Sequence, residues 1–210
     1  MPSTPNPQPL TLPVVNIAAR FFDAARQYPT KDAIREPIAG TQEMRATTFA
    51  ELARLVGDYS DRLQRVGVAR GMRTLLFVPP GRDFFALTFA LFNIGAVPVM
   101  IDPGIGAQQM GKCLTTVDVQ AFIGVPKAHV FRLLYRRVFR NLRACITVGK
   151  RWFWGGHTLD AIPANRDESR EIPTSCVAPT LADETAAILF TSGSTGAAIG
   201  VVYTHGIFNA

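Results

Sequence analysis

An α/β fold, with a mostly parallel sheet covered by helices on both faces, is the class that this sequence predicts. Three observations predict it. Short apolar runs bounded by turn residues recur at 73–78, 96–101, 121–125, 145–148 and 186–190. Segments with helical apolar spacing stand between most of them, and strands that alternate with helices pair in parallel. Hydrophobic residues make up 48% of the chain, with 14 Phe, enough to bury a sheet on two sides. No internal repeat is visible.

The opening MPSTPNPQPLTLP carries Pro2, Pro5, Pro7, Pro9 and Pro13 and no apolar period. It reads as an extended tail over 1–13, without the basic start and apolar centre of a signal peptide. The spacing of Ile17, Phe21, Phe22 and Ala25 predicts a first helix, capped by Asn16 and ended at Tyr28-Pro29. A short strand at Ala33–Glu36 and a turn over 38–40 follow. Thr48 with Glu51 three residues on forms a capping box for a second helix. Leu52, Leu55, Tyr59, Leu63 and Val66 keep its period to Gly67.

Arg73–Val78 reads as a buried strand stopped by Pro79-Pro80-Gly81. The run 84–101 has no charge and is about as long as the shortest membrane span. Asn93, Gly95 and Pro98 interrupt it, so a helix over 83–94 followed by a strand explains it better. Residues 108–117 are expected to be helical. Cys113, Cys145 and Cys176 lie far apart, with neither zinc spacing nor a disulfide framework, which suits buried thiols in a reducing cytoplasm.

The formal charge of +6 is local. Between 119 and 159 there is no acidic residue, while Lys127, Arg132, Arg136, Arg137, Arg140, Arg143, Lys150 and Arg151 all fall there. Without those eight, 14 basic residues face 16 acidic ones. The spacing predicts a helix over 130–142. Phe131, Leu134, Tyr135, Val138 and Leu142 form one stripe, and Arg132, Arg136, Arg140 and Arg143 another. Such a helix is either an ordinary core helix with a solvated face or a docking face for a membrane or partner protein. No nucleic-acid motif accompanies it. An aromatic cluster follows at Trp152-Phe153-Trp154, and 162–179 reads as a surface connection.

After the apolar strand at 186–190 come Thr191, Ser192, Gly193, Ser194, Thr195 and Gly196. Glycines let backbone N–H groups approach an anion, and the hydroxyls add donors, so the loop is a candidate grip for nucleotide phosphates. It lacks the Gly-Lys-Ser/Thr of a P-loop, and no G-x-G-x-x-G occurs. With Gly200-Val201-Val202 and Thr204-His205, the string resembles the signature loop of the adenylate-forming superfamily: acyl-CoA synthetases, luciferases and peptide-synthetase adenylation domains. The likeness extends upstream to Thr48–Leu52, Gly67–Arg73 with Val78-Pro79, and Gly95–Pro103. Residues 124–129 and 147–156 resemble the branch that serves bacterial long-chain olefin biosynthesis.

The resemblance implies the N-terminal part of the large AMP-binding domain, over 14–210. It implies ATP-dependent activation of a long-chain 3-hydroxy acid as acyl adenylate, with ATP and Mg2+ as cofactors. The cysteines and the arginine stripe point to a cytoplasmic or membrane-peripheral location. Thr191–Gly196 would hold the ATP phosphates, and His205 would lie on the acyl side unless it is simply a buried histidine. Two departures stand out. Where the family carries a lysine before the glycine of its loop, this sequence has Ile199. Family members also continue well past the counterpart of Ala210, with the adenine pocket, acidic residues and a catalytic lysine. This chain alone is therefore expected to hold an incomplete active site, with an open apolar sheet edge beside 186–190. A catalytically inactive remnant is the alternative expectation.

Overall fold

Asn16 starts the first helix of the computed structural model, which describes residues 15–38, 40–163, 177–192 and 198–209. Its side chain accepts a hydrogen bond from the N–H of Ala18 at 2.9 Å and caps α1 (Ile17–Gln27). The same side chain donates to the carbonyls of Phe92 and Ala178, so one buried amide ties three segments together. Phe21, Phe22 and Ala25 face the core as their spacing predicts, while Ile17 is half-buried.

β1 (Asp32–Pro37) pairs antiparallel with β2 (Met44–Thr48), a strand that the sequence did not announce. β2 ends in the cap of α2 (Phe49–Arg65). The Thr48 hydroxyl accepts from the Glu51 N–H at 3.3 Å, and Glu51 Oε2 accepts from the Thr48 N–H at 2.8 Å. Glu36 also accepts from the N–H of Arg82, which anchors this hairpin to the start of α3 (Arg82–Asn93).

The main sheet has seven strands. In chain order these are β3 (Arg73–Phe77), β4 (Val97–Ile101), β5 (Ala121–Gly124), β6 (Ala144–Thr147), β7 (His157–Thr158), β8 (Thr185–Ser192) and β9 (Ala198–Thr204). Their spatial order is β7-β6-β5-β3-β4-β8-β9, all parallel except β9, which runs antiparallel to β8. Helices cover both faces, as the alternation predicts. Leu76 and Ile123 join the core beneath α1, α2 and α3, while Leu75 and Phe122 join the opposite core beneath α4 (Ala107–Thr115) and α5 (Pro126–Leu134).

Three expectations change. β8 is not an edge: β4 lies on one side of it and β9 on the other, so the exposed apolar edge belongs to β9, at Ile199, Val201 and Val202. The sequence of β9 reads as loop continuation because its alternation is not apolar–polar. The helix expected over 130–142 begins at Pro126 and stops at Leu134. Beyond it the backbone makes i to i+3 turns, which seat Phe139 against Phe122 and Phe131. Burying that ring prevails over continuing the helix, so Arg136, Arg140 and Arg143 do not share a helical stripe with Arg132. Finally, two-residue β7 follows the aromatic cluster, a strand without a signal in the sequence.

The tail at 1–13, residues 164–176 of the surface connection, Cys176 and Gly193, Ser194, Thr195 and Gly196 lie outside the described residues. Among the described residues, no helix is long and apolar enough to cross a membrane. Cys113 is buried and Cys145 half-buried.

Candidate functional site

The carboxyl ends of four neighbouring strands converge on one cleft. β3 leads into α3 on one face of the sheet, while its neighbours β4 and β5 lead into α4 and α5 on the other. Where adjacent connections part to opposite faces, the strand ends leave a crevice, and open α/β sheets bind ligands there. The crevice in this fold has a volume of about 680 Å³. Val78, Phe84, Met100, Val125, Leu189 and Phe190 are among its apolar walls. Asp102, Lys127 and Thr191 bring the polar groups.

These polar groups differ in what they can do. The Asp102 carboxylate is engaged, accepting from the N–H of Gly104 at 2.8 Å as it caps a one-turn helix over Pro103–Ile105. Lys127 sits exposed in the first turn of α5. Thr191 is exposed near the end of β8, where the chain turns back into β9. A mostly apolar cleft rimmed by an ammonium and a hydroxyl suits an amphiphile with an anionic head.

β8 and β9 pair on either side of the glycine–hydroxyl segment. Pairing runs from Thr185 with Thr204 to Ser192 with Ala198, which leaves 193–197 as the connection. Thr191 stands opposite Ile199, and Phe190 opposite Gly200. A Cβ at Gly200 would meet the Phe190 ring at 2.9 Å, so the glycine makes room for a ring that lines the cleft. Of the candidate phosphate-binding residues, the structure thus places Thr191 at the rim, with Ser192 next to it as the last residue of β8.

His205 sits elsewhere. It opens a short helix, α6 (His205–Asn209), at the Thr185–Thr204 end of the ladder, and that ladder is about 20 Å long. The residue is buried, its N–H donates to the carbonyl of Glu184, and its ring lies edge-on to Phe92. Burial lowers its pKa, partly opposed by the Glu184 carboxylate. The structure does not bring His205 together with Thr191.

A second histidine, which sequence reasoning passed over, pins α5 beside the cleft. His129 is fully buried and stacks on Trp154 at 4.9 Å with an interplanar angle of 7°. Arg132 Nε donates to its Nδ1 at 3.4 Å. That leaves Nε2 to donate toward the Ile146 carbonyl at 3.2 Å, with the Thr147 hydroxyl 3.1 Å away. Trp154 Nε1 donates to the same hydroxyl at 3.1 Å. Desolvation, with the nearby Arg132 charge, pushes the His129 pKa down to about 4, so the ring is neutral. The available signal was one histidine in the helix after β5 and a tryptophan cluster after β6.

Comparison with known proteins bears on the same residues. The family model of AMP-binding enzymes matches residues 21–210. The olefin beta-lactone synthetase of Stenotrophomonas maltophilia (strain K279a) is 43% identical over 90% of this chain and 35% of its own length. The olefin beta-lactone synthetase of Xanthomonas campestris pv. campestris is likewise 43% identical, over 90% of this chain and 34% of its own. The chain thus spans about a third of the length of these curated relatives. The acetoacetyl-CoA synthetase from Streptomyces lividans shares the fold with a TM-score of 0.75 at 22% identity, over 91% of this chain and 30% of that one.

Proposed function

Because the chain belongs to the AMP-binding enzyme family, we propose that it serves ATP-dependent activation of a carboxylic acid, and that the acid is a long-chain 3-hydroxy fatty acid. The observation that carries this reading is the apolar cleft ending at Thr191, in a chain 43% identical to olefin beta-lactone synthetases. ATP supplies the leaving group: a carboxylate oxygen bonds to the α-phosphorus as pyrophosphate departs. In this reading Thr191, Ser192, Gly193, Ser194, Thr195 and Gly196 grip the β- and γ-phosphates with hydroxyl and backbone N–H donors. The walls around Met100 and Val125 take the alkyl chain and exclude water from it. Lys127 holds anionic charge at the rim.

Residues 14–210 form, in the same reading, the N-terminal subdomain of an AMP-binding domain. The Thr191 hydroxyl and the Lys127 ammonium fit a phosphate tail. Mg2+ belongs to the reading through the phosphates it would bridge. Among the described residues no three His, Cys, Asp or Glu side chains converge, so no step is assigned to the ion. A cytoplasmic location fits the half-buried thiol of Cys145.

Calorimetric titration with ATP, followed by acid-dependent pyrophosphate release across a series of 3-hydroxy acids, tests the proposal. ATP binding that weakens in Thr191→Ala, with release that rises with alkyl length, is the expected result. Absence of ATP binding overturns the phosphate assignment. Binding with no preference for long acids overturns the substrate assignment.

A further inference from the structure

The surface beside α5 is both aromatic and cationic. Phe153 is 81% exposed, Leu134 76% and Trp152 54%, and Val130 is exposed as well. Buried Trp154 connects them: it lies 5.3 Å from both Trp152 and Phe153 and stacks on His129, the neighbour of Val130 in α5. The loop after β6 and the outer side of α5 are therefore one surface. Of the eight basic residues between 127 and 151, all but Arg132 are exposed. None of those seven forms an ion pair with a described residue. No acidic side chain lies between 119 and 159 to neutralise them.

We propose that this face docks on an anionic phospholipid surface. Soluble proteins seldom expose several large apolar side chains together without a partner for them. Tryptophan and phenylalanine settle at the boundary between headgroups and acyl chains, and lysine and arginine meet anionic headgroups. A purely electrostatic polyanion contact would leave Trp152, Phe153 and Leu134 in water. A purely apolar protein contact would leave Arg136, Arg137, Lys150 and Arg151 unmatched; Lys127 belongs to the cleft rim, and Arg140 lies near the Asp118 carboxylate. An anionic bilayer satisfies both sets at once. The docking is independent of the adenylation chemistry, and it would hold the protein where long-chain acids partition.

Co-sedimentation of the chain with vesicles tests it, using phosphatidylcholine alone and phosphatidylcholine with about one third phosphatidylglycerol. Binding to the anionic vesicles, weakened by salt and accompanied by a blue shift of tryptophan emission, is expected. Trp152→Ser/Phe153→Ser and Lys150→Glu/Arg151→Glu should each weaken binding by about tenfold or more. Trp152, Phe153 and Lys150 are exposed, while Arg151 also donates to the Gly156 carbonyl. Circular dichroism should therefore be unchanged throughout, and Lys150→Glu alone should keep the parent melting temperature. The double variant Arg136→Glu/Arg137→Glu offers a second charge reversal on another segment. No binding to anionic vesicles overturns the proposal. Equal binding by the aromatic and parent proteins, or tighter binding to duplex DNA than to the vesicles, overturns it in favour of a generic polyanion site.

Discussion

Thr191, at the rim of an apolar cleft, faces Ile199 across the β8–β9 ladder, and both are exposed. Directly opposed residues in an antiparallel pair project on the same side of the sheet. A cation at 199 would therefore stand beside the hydroxyl at 191, and this chain places an aliphatic side chain there instead.

Ile199→Lys should accordingly tighten ATP binding. A charge-assisted hydrogen bond contributes about 1.5–3 kcal/mol, roughly one to two powers of ten in the dissociation constant. Ile199→Glu should weaken binding in the opposite direction. Titration calorimetry of both variants reads the difference. Equal affinity for the two would show that the end of the β8–β9 ladder does not hold phosphate.

Gly156 is a stability test of the sheet edge. Its φ of +100° disfavours any L side chain, and a Cβ there would overlap the backbone oxygen of Cys145 in β6. The neighbouring His157 pairs with Ile146, so relief by shifting would break the β6–β7 ladder. Gly156→Ala should cost on the order of 2–4 kcal/mol in urea unfolding. Gly155→Ala, where a Cβ meets nothing within 4 Å, should stay within about 0.5 kcal/mol of the parent.

The neutral His129 makes stability pH-dependent. Its folded pKa of about 4 lies below the 6.5 of a histidine in water. Between those values the unfolded chain binds the proton and the folded chain does not, so stability is full above pH 6.5 and falls as pH drops toward 4. The steepest loss from one such group is roughly 1.4 kcal/mol per pH unit. Denaturant melts at several pH values should show a shallower slope across this window in His129→Gln than in the parent. An unchanged slope would mean that the ring is already protonated in the fold.

Strand interiors and helix caps were legible in the sequence because they are set by nearby residues. Asn16, the Thr48–Glu51 box and the runs at 73–77 and 121–124 needed no tertiary information. The end of α5 was not legible, since it depends on Phe139 finding Phe122 and Phe131 across the core. β9 was missed for the same reason: its pairing with β8 outweighs a weak alternation. In the candidate site the hairpin strand and Thr191 were readable. Met100, Val125 and Lys127 were not, because strand order alone decides which strand ends become neighbours.

Met100 gives the most direct handle on the acid. It lines the cleft at the carboxyl end of β4 and is only half-buried, so a larger ring can extend into open space without rebuilding the core. Each alkyl CH₂ kept out of the cleft forfeits about 0.8 kcal/mol of transfer free energy. Displacing two of them in Met100→Trp should raise KM for long 3-hydroxy acids by about tenfold. Acids too short to reach the indole should keep both KM and kcat, which separates lost chain burial from a damaged phosphate grip. Pyrophosphate release measured across an alkyl-length series supplies both constants. A uniform fall in kcat at every length would mean that Met100 supports the reacting end of the cleft, and the alkyl chain would then have to be placed elsewhere.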